Sequence, residues 1–233
     1  MHVHMIVGTT GIGKTAAAVQ LAARWNAPVV SLDRVQCFPE LATTSGRPTA
    51  RELAGTARLY LDNRTIAQGE LTVFEAYTRL RRLLRTLSTY HPAVILEGGS
   101  ISLTTLLMTG ENAPPGATFE LMMGDVDAPA YRARLHARVV RMLTVRPSLI
   151  DEFAHAWRYR ELRGFIASIV GFDALVAWHS RRESVTSGFV LSSEDRSVLI
   201  DRITDAHLAY AREQTKSLRA LENVQLACSR SLP

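Results

Sequence analysis

Gly8-Thr9-Thr10-Gly11-Ile12-Gly13-Lys14-Thr15 follows directly on the largely apolar run Val3-His4-Met5-Ile6-Val7 and completes the pattern G-x-x-x-x-G-K-[ST]. It reads as a phosphate-binding loop. Successive backbone N–H groups, together with the positive end of a helix starting near Gly13, make a concave site for phosphate oxygens, and Lys14 adds a mobile positive charge. Thr15 places a hydroxyl where a Mg²⁺ ion would sit. The bare pattern also arises by chance, but its context is the required one: a strand precedes, and the helix-forming run Ala16-Ala17-Ala18-Val19-Gln20-Leu21-Ala22-Ala23 follows. Gly8, Thr9, Gly11, Ile12, Gly13, Lys14 and Thr15 are the candidate anion-binding set, with Thr15 also the candidate metal ligand.

Outward from the loop, short apolar runs alternate with longer helical patterns, the signature of an α/β protein with a mainly parallel sheet. Strands are expected at residues 2–7, 28–32, 93–96, 119–123 and 224–227. Helices are expected at 13–25, 74–90, 100–108, 128–143, 147–159 and 194–220. The fold class is thus a P-loop NTPase-like parallel sheet of about five strands flanked by helices, with a small helical lobe. Residues 1–142 form the core with the ligand loops and 143–193 the lobe. Residues 194–233 form a long helix and a final strand returning to the core. Segments 39–49 and 111–117, the latter holding Pro114-Pro115-Gly116, read as loops. In an open α/β sheet ligands gather beyond the carboxyl ends of the strands, so functional residues are expected there.

At 233 residues and 47% hydrophobic composition, the chain can bury one substantial core. Its longest apolar runs are too short to span a bilayer. The N-terminus enters the first strand directly, which leaves no room for a signal peptide. Cys37 and Cys228 have no metal-ligand spacing and read as reduced thiols of a cytoplasmic protein. The net charge of +5 invites a polyanion partner. However, Lys14 and Lys216 are the only lysines, and the arginines are spread along several segments rather than gathered into one arm. Most of them read as solvated faces.

After the second expected strand comes Leu32-Asp33-Arg34-Val35-Gln36-Cys37-Phe38-Pro39, followed by Ser45-Gly46-Arg47-Pro48. Further on lie Arg58-Leu59-Tyr60-Leu61-Asp62-Asn63-Arg64, Leu96-Glu97-Gly98-Gly99-Ser100-Ile101-Ser102-Leu103, Arg138-Val139-Val140-Arg141-Met142 and Arg146-Pro147-Ser148-Leu149. Together with the phosphate loop, this collinear set resembles the adenylate isopentenyltransferases of bacterial cytokinin synthesis, P-loop enzymes related to the tRNA dimethylallyltransferases. Near the C-terminus, Tyr210-Ala211-Arg212-Glu213-Gln214-Thr215 is more similar to the tRNA-modifying relatives.

The resemblance implies alkyl transfer: adenine N6 attacks C1 of dimethylallyl diphosphate, and diphosphate leaves. The loop then binds the donor's diphosphate, and Mg²⁺ is the implied cofactor. Asp33 matches the carboxylate that accepts an N6 proton, Thr10 the residue between donor and acceptor, and Arg138 an arginine on the diphosphate. Ser45, with Arg34, falls on the acceptor side. Departing diphosphate builds negative charge, so amides and cations placed there stabilise the transition state more than the ground state. Delocalisation makes adenine N6 a poor nucleophile, and a carboxylate accepting its proton corrects that. Read from the residues alone, the alternative for Asp33 is a helix or turn cap beside the second strand.

Relatives that prefer a hydroxylated donor carry an Asp before a Gly-aromatic pair and a His on the last long helix, where this chain has Val170 and Tyr210. Val170, His207 and Tyr210 are accordingly the expected prenyl pocket, with dimethylallyl diphosphate the expected donor. The short chain and Ser45-Gly46-Arg47-Pro48 favour a free nucleotide, AMP foremost with ADP or ATP as alternatives, over tRNA. A monomer with no membrane partner is expected. A P-loop small-molecule kinase and a non-catalytic nucleotide-binding module are the competing functions.

Other signals stay open or bland. Arg134, Arg138 and Arg141 share a helical face. Glu97 reads either as the holder of a metal-bound water or as a structural hydrogen-bonding group. Asp127-Ala128-Pro129 reads as a helix start with Asp127 as cap. His2 and His4 share one strand face and read as solvated or packed rather than metal-ligating.

Overall fold

In the computed structural model, which describes residues 1–109, 112–181 and 191–230 with side chains through residue 222, the loop motif sits between the first strand and the first helix. In chain order the elements are β1 (His2–Gly8), α1 (Lys14–Trp25), β2 (Val29–Ser31), α2 (Ala42–Ser45), α3 (Ala50–Leu53) and β3 (Arg58–Leu59). They continue with α4 (Val73–Leu87), β4 (Ala93–Gly98), α5 (Ile101–Met108), β5 (Thr118–Met122), α6 (Pro129–Met142) and α7 (Leu149–Ala156). The last are α8 (Arg163–Ala167), α9 (Phe172–Ser180) and α10 (Ser193–Arg230). The five strands form one parallel sheet in the order β3-β2-β4-β1-β5.

Strand periodicity decides which helices cover which face. Val3, Met5 and Val7 of β1, Val30 and Leu32 near β2, and Val94 and Leu96 of β4 point to one side, where Leu80 of α4, Leu103 of α5 and Leu218 of α10 pack on them. Ile6, Val29 and Ile95 point to the other side and meet Ala18 and Ala22 of α1. Both faces of the sheet are covered, as a parallel sheet requires. A separate apolar cluster joins α7, α8 and α9 through Phe153, Ile166, Phe172, Leu175 and Trp178, and draws in Val139 of α6 and Ile203 of α10. Residues 182–190 of the expected lobe lie outside the described residues, as does Glu111 of the expected second loop.

The sheet has five strands, but the fifth is not the expected one. Residues 224–227 continue α10, because no Gly or Pro lies between Ser193 and Leu232 to stop a helix. The extra strand is β3, two residues beside β2, too short to show a period. The expected loop 39–49 instead holds a 3₁₀ turn over Pro39–Leu41 and the single-turn α2. Asp127 does not cap α6. Ala128 takes the cap position with Pro129 just inside, and Asp127 pairs with Arg212 of α10 at 2.8 Å. His2 and His4 bond to the Thr118 hydroxyl and lie edge-on to Trp25. Cys37 is a buried free thiol that burial pushes up to about 11, and the Cys228 side chain lies outside the described residues. Among the described residues no helix is long and apolar enough to cross a membrane.

Candidate active site

The carboxyl ends of β1, β2 and β4 open into a cavity of about 780 Å³, within the usual range for small-molecule sites. Of the loop, Thr10, Gly11, Gly13, Lys14 and Thr15 line it. Gly8, Thr9 and Ile12 do not; Thr9 is fully buried. Gly13 caps α1 with φ 97°, a conformation that favours glycine. Lys14 opens α1, is buried, and donates to the Thr9 carbonyl at 2.7 Å. Burial holds its pKa below the usual lysine value, opposed by the nearby Glu97 and Asp33 carboxylates.

Thr15 Oγ1 faces Glu97 Oε1 at 3.5 Å. Glu97 is committed to a buried ion pair: its Oε2 accepts from Arg58 Nη2 at 2.6 Å, the two side chains being 5% and 1% exposed. Arg58 also donates to Gln36 Oε1 at 3.0 Å, which in turn accepts from Ser31 Oγ at 2.9 Å. The short strand β3 therefore anchors the charge beside the loop. Of the two readings of Glu97, the structural bond is present in the fold itself.

Asp33 follows β2 and lines the cavity. Its Oδ1 accepts the backbone N–H groups of Val35 at 2.9 Å and Gln36 at 3.4 Å, so it does cap the 3₁₀ turn over Val35–Cys37. Capping uses one oxygen and coexists with a place on the cavity wall. Burial raises its pKa above the ordinary carboxylate value. The two backbone bonds oppose that shift, Glu97 adds to it, and Lys14 counters it.

The turn carrying Ser45, whose carbonyl accepts from Gln36 Nε2 at 3.4 Å, is held from α7. Glu152 of α7, 2% exposed, accepts from Thr43 N at 2.7 Å, Thr44 N at 2.8 Å and Thr44 Oγ1 at 2.5 Å. That carboxylate supplies the acceptors which let residues 42–45 coil rather than run as loop. Ser45 lines the cavity and donates its hydroxyl to the Leu41 carbonyl at 2.7 Å. Arg34 also lines it, but its guanidinium is already engaged with Glu70, the Leu71 carbonyl and Ser102. Arg138 of α6 is the contrasting case. It lines the cavity against Gly46, and its side chain makes no hydrogen bond or ion pair among the described residues. Burial lowers its pKa, and neighbouring Arg141 lowers it further. Arg141 shares the cavity wall, whereas Arg134 lies over the Tyr131 ring away from it.

Val170, His207 and Tyr210 all line the cavity, as do the apolar residues Phe38, Phe165 and Ile169. His207 is 5% exposed, and its Nε2 has no partner. Desolvation pushes it down to about 3, with Arg138 adding to the effect, so the imidazole is neutral. Tyr210 donates to the Gly99 carbonyl at 3.4 Å, and burial raises its pKa.

Four residues of this site carry no individual signal in the sequence. Gln214, Tyr131, Arg58 and Glu152 each act across more than twenty residues of chain. Gln214 and Arg58 do fall inside the strings that carry the family resemblance.

A phosphate loop between the first strand and helix of a parallel sheet, opening on a cavity at the carboxyl ends, defines a P-loop enzyme of the NTPase-like fold. Isopentenyl transferase is the family that matches, over residues 1–227. The chain belongs to that family, and it is a prenyltransferase. It is 35% identical over 220 residues to an adenylate dimethylallyltransferase of Agrobacterium vitis, covering 92% of this chain and 90% of that one. It is 41% identical over 180 residues to that of Rhodococcoides fascians, with 76% and 70% covered. Among solved structures, the full-length tRNA isopentenylpyrophosphate transferase of Bacillus halodurans matches with a TM-score of 0.71 at 17% identity, covering 94% of this chain and 86% of that one. A eukaryotic dimethylallyltransferase acting on tRNA matches with a TM-score of 0.68 at 15% identity, with 92% and 69% covered. At these identities the two structures speak for the fold alone.

Proposed function

We propose that this chain transfers a dimethylallyl group from dimethylallyl diphosphate to N6 of AMP and releases diphosphate. One observation carries the reading: a single cavity is lined by Lys14 and Thr15 of the loop, by Asp33 and Ser45, and by the apolar residues Val170, Phe165 and Ile169. The similarity to adenylate dimethylallyltransferases over nine-tenths of the chain supports the acceptor.

In this reading, loop amides and Lys14 hold the donor's diphosphate, and Arg138 turns its uncommitted donors toward the same charge. These contacts strengthen as the C1–O bond breaks, which is where they lower the barrier. The apolar wall excludes water from the allylic carbon as it becomes electron-poor. Asp33 accepts an N6–H, raising electron density on nitrogen, and takes the proton as the N–C bond forms. Its raised pKa makes it a better base than an exposed Asp. Thr10 lies between the two substrates, and Ser45 meets the adenine. Arg34, engaged as it is, shapes the acceptor side more than it binds it.

Mg²⁺ fits the residues present. It takes few protein oxygens when a diphosphate and waters supply the rest; Thr15 would be the direct ligand, and Glu97, 3.5 Å from the Thr15 hydroxyl, would hold a metal-bound water. Bound there, the ion neutralises leaving-group charge. The proposed enzyme acts as a monomer in the cytoplasm.

The test is a product assay by mass with dimethylallyl diphosphate, Mg²⁺ and either AMP, ADP, ATP or unmodified tRNA. Prenylated AMP plus diphosphate is expected. Turnover of tRNA alone, or ADP release from ATP with a phosphorylated small molecule, overturns the reading.

A further inference from the structure

Thr10 is a loop residue whose backbone N–H and carbonyl are both gripped by side chains from outside the loop. Its N–H donates to Gln214 Oε1 of α10 at 2.8 Å, and its carbonyl accepts from Tyr131 Oη of α6 at 2.5 Å. Gln214 is 2% exposed, and its Nε2 donates to the Gly99 carbonyl at 2.6 Å. A side chain at Gly99 would place Cβ 2.6 Å from that same Nε2, so the space is kept for the amide. We propose that Gln214 is a positioning residue that fixes the Thr9–Thr10 peptide between α10 and the end of β4, with Tyr131 holding the next peptide through the Thr10 carbonyl. This inference rests on the reaction proposed above.

Two consequences follow from the geometry. The Thr10 N–H is already bonded, so the amides free to meet an anion begin at Gly11. Thr10, which lines the cavity, is aimed by the two peptide planes that flank it, one held from α10 and the other from α6. Displacing a reactive geometry by about 1 Å costs on the order of a hundredfold in rate. Loss of the clamp therefore lowers kcat rather than weakening either substrate.

Glu in place of Gln gives a variant with its own internal control. In Gln214→Glu, one oxygen still accepts the Thr10 N–H, while the other faces the Gly99 carbonyl and bonds it only when protonated. Ionised, the variant repels that carbonyl; protonated, it restores both bonds. Asp33 titrates in both proteins, and Lys14 Nζ and the Tyr210 hydroxyl flank Gly99 in both, so the variant is read as the ratio of its kcat to that of wild type at each pH. The expected result is a ratio that climbs by roughly tenfold or more as pH falls from 8.5 to 6.

Gln214→Met keeps the volume and removes both bonds. It is expected to lose roughly tenfold or more in kcat at every pH, with KM for AMP and for dimethylallyl diphosphate within about threefold of wild type. Amide exchange at Thr10 in the ligand-free protein should also accelerate, a readout independent of turnover. Wild-type turnover under the same conditions reports on the proposed reaction alone. A flat Glu ratio, a Met variant with unchanged kcat, or unchanged Thr10 exchange overturns the positioning role. If the Met variant does not fold, the Glu ratio decides.

Discussion

The Arg138 guanidinium occupies the space that a side chain on Gly46 would need: a Cβ there would lie 2.4 Å from Arg138 Nη2. Gly46 also ends α2 with φ 63°, so two independent constraints keep this position bare. The contact links the turn carrying Ser45 to the cation expected on the diphosphate, and so couples the two halves of the cavity. Gly46→Ala should cost roughly 1 to 2 kcal/mol in backbone strain and push Arg138 aside. The rate of prenyl transfer should then fall by roughly a hundredfold, well beyond what the lost stability explains. Comparing kcat/KM for the donor with the unfolding midpoint checks this; equal rates would mean Arg138 does not meet the diphosphate.

Asp33 combines capping with a raised pKa, and the two features make opposite demands on stability. An acid whose folded pKa lies above its unfolded value binds a proton more readily when folded. At neutral pH the ionised carboxylate therefore opposes folding, and that opposition fades as pH falls through the raised value. Asn keeps an oxygen for the Val35 and Gln36 amides without the charge. Asp33→Asn should lower kcat by roughly 10² to 10⁴-fold while raising the neutral-pH melting temperature. In the wild-type protein, activity should decline on acidification from a point above the ordinary value of 3.8, measured as kcat against pH.

Glu152 does for the acceptor turn what no local residue does. Two amides and a hydroxyl converge on its carboxylate. In Glu152→Gln one oxygen becomes an NH₂ that faces those donors, leaving about 1 to 3 kcal/mol of unmet bonding. The unfolding midpoint should drop accordingly, and KM for AMP should rise several-fold while KM for dimethylallyl diphosphate stays put. A loss shared equally by both substrates would place the effect in general destabilisation instead.

The phosphate loop, four of the five strands and most helices are legible in the sequence because each rests on local periodicity or on a contiguous motif. Residues 224–227 misled because a short apolar run has no period of its own, and only the absence of a breaker extends α10 through it. β3 escaped for the opposite reason: two residues cannot show alternation, and it forms because Arg58 reaches Glu97. Asp127 read as a cap from its spacing to Pro129, yet Arg212, 85 residues away, claims its carboxylate. Within the site, residues set by motif position were recoverable. Gln214, Tyr131 and Glu152, whose roles exist only once distant helices meet, were not.

Val170 puts an apolar surface on the cavity wall, where the proposed reaction seats the prenyl group. A hydroxyl entering beside Val170 would lose its water without regaining a hydrogen bond. Val170→Asp supplies the acceptor, so the ratio of kcat/KM for the hydroxylated over the plain donor should rise by roughly tenfold or more. An unchanged ratio would remove Val170 from the pocket assignment.

His207 ties the same pocket to acid stability. Its folded pKa of about 3 lies far below the ordinary value of 6.5, because burial disfavours the charged ring and Arg138 repels it. A histidine depressed in this way binds its proton only when the chain unfolds. Its neutral form thus costs nothing above 6.5, and stability is lost as pH falls below that value, by about 1.4 kcal/mol per unit until the folded pKa is reached. His207→Phe removes the titration and keeps an aromatic ring at a position whose Nε2 had no partner. Between pH 7 and 4.5 the variant should gain about 2 to 3 kcal/mol relative to wild type, read from denaturant unfolding at each pH. A difference between the two proteins that does not change with pH would mean that the folded chain accommodates the imidazolium after all.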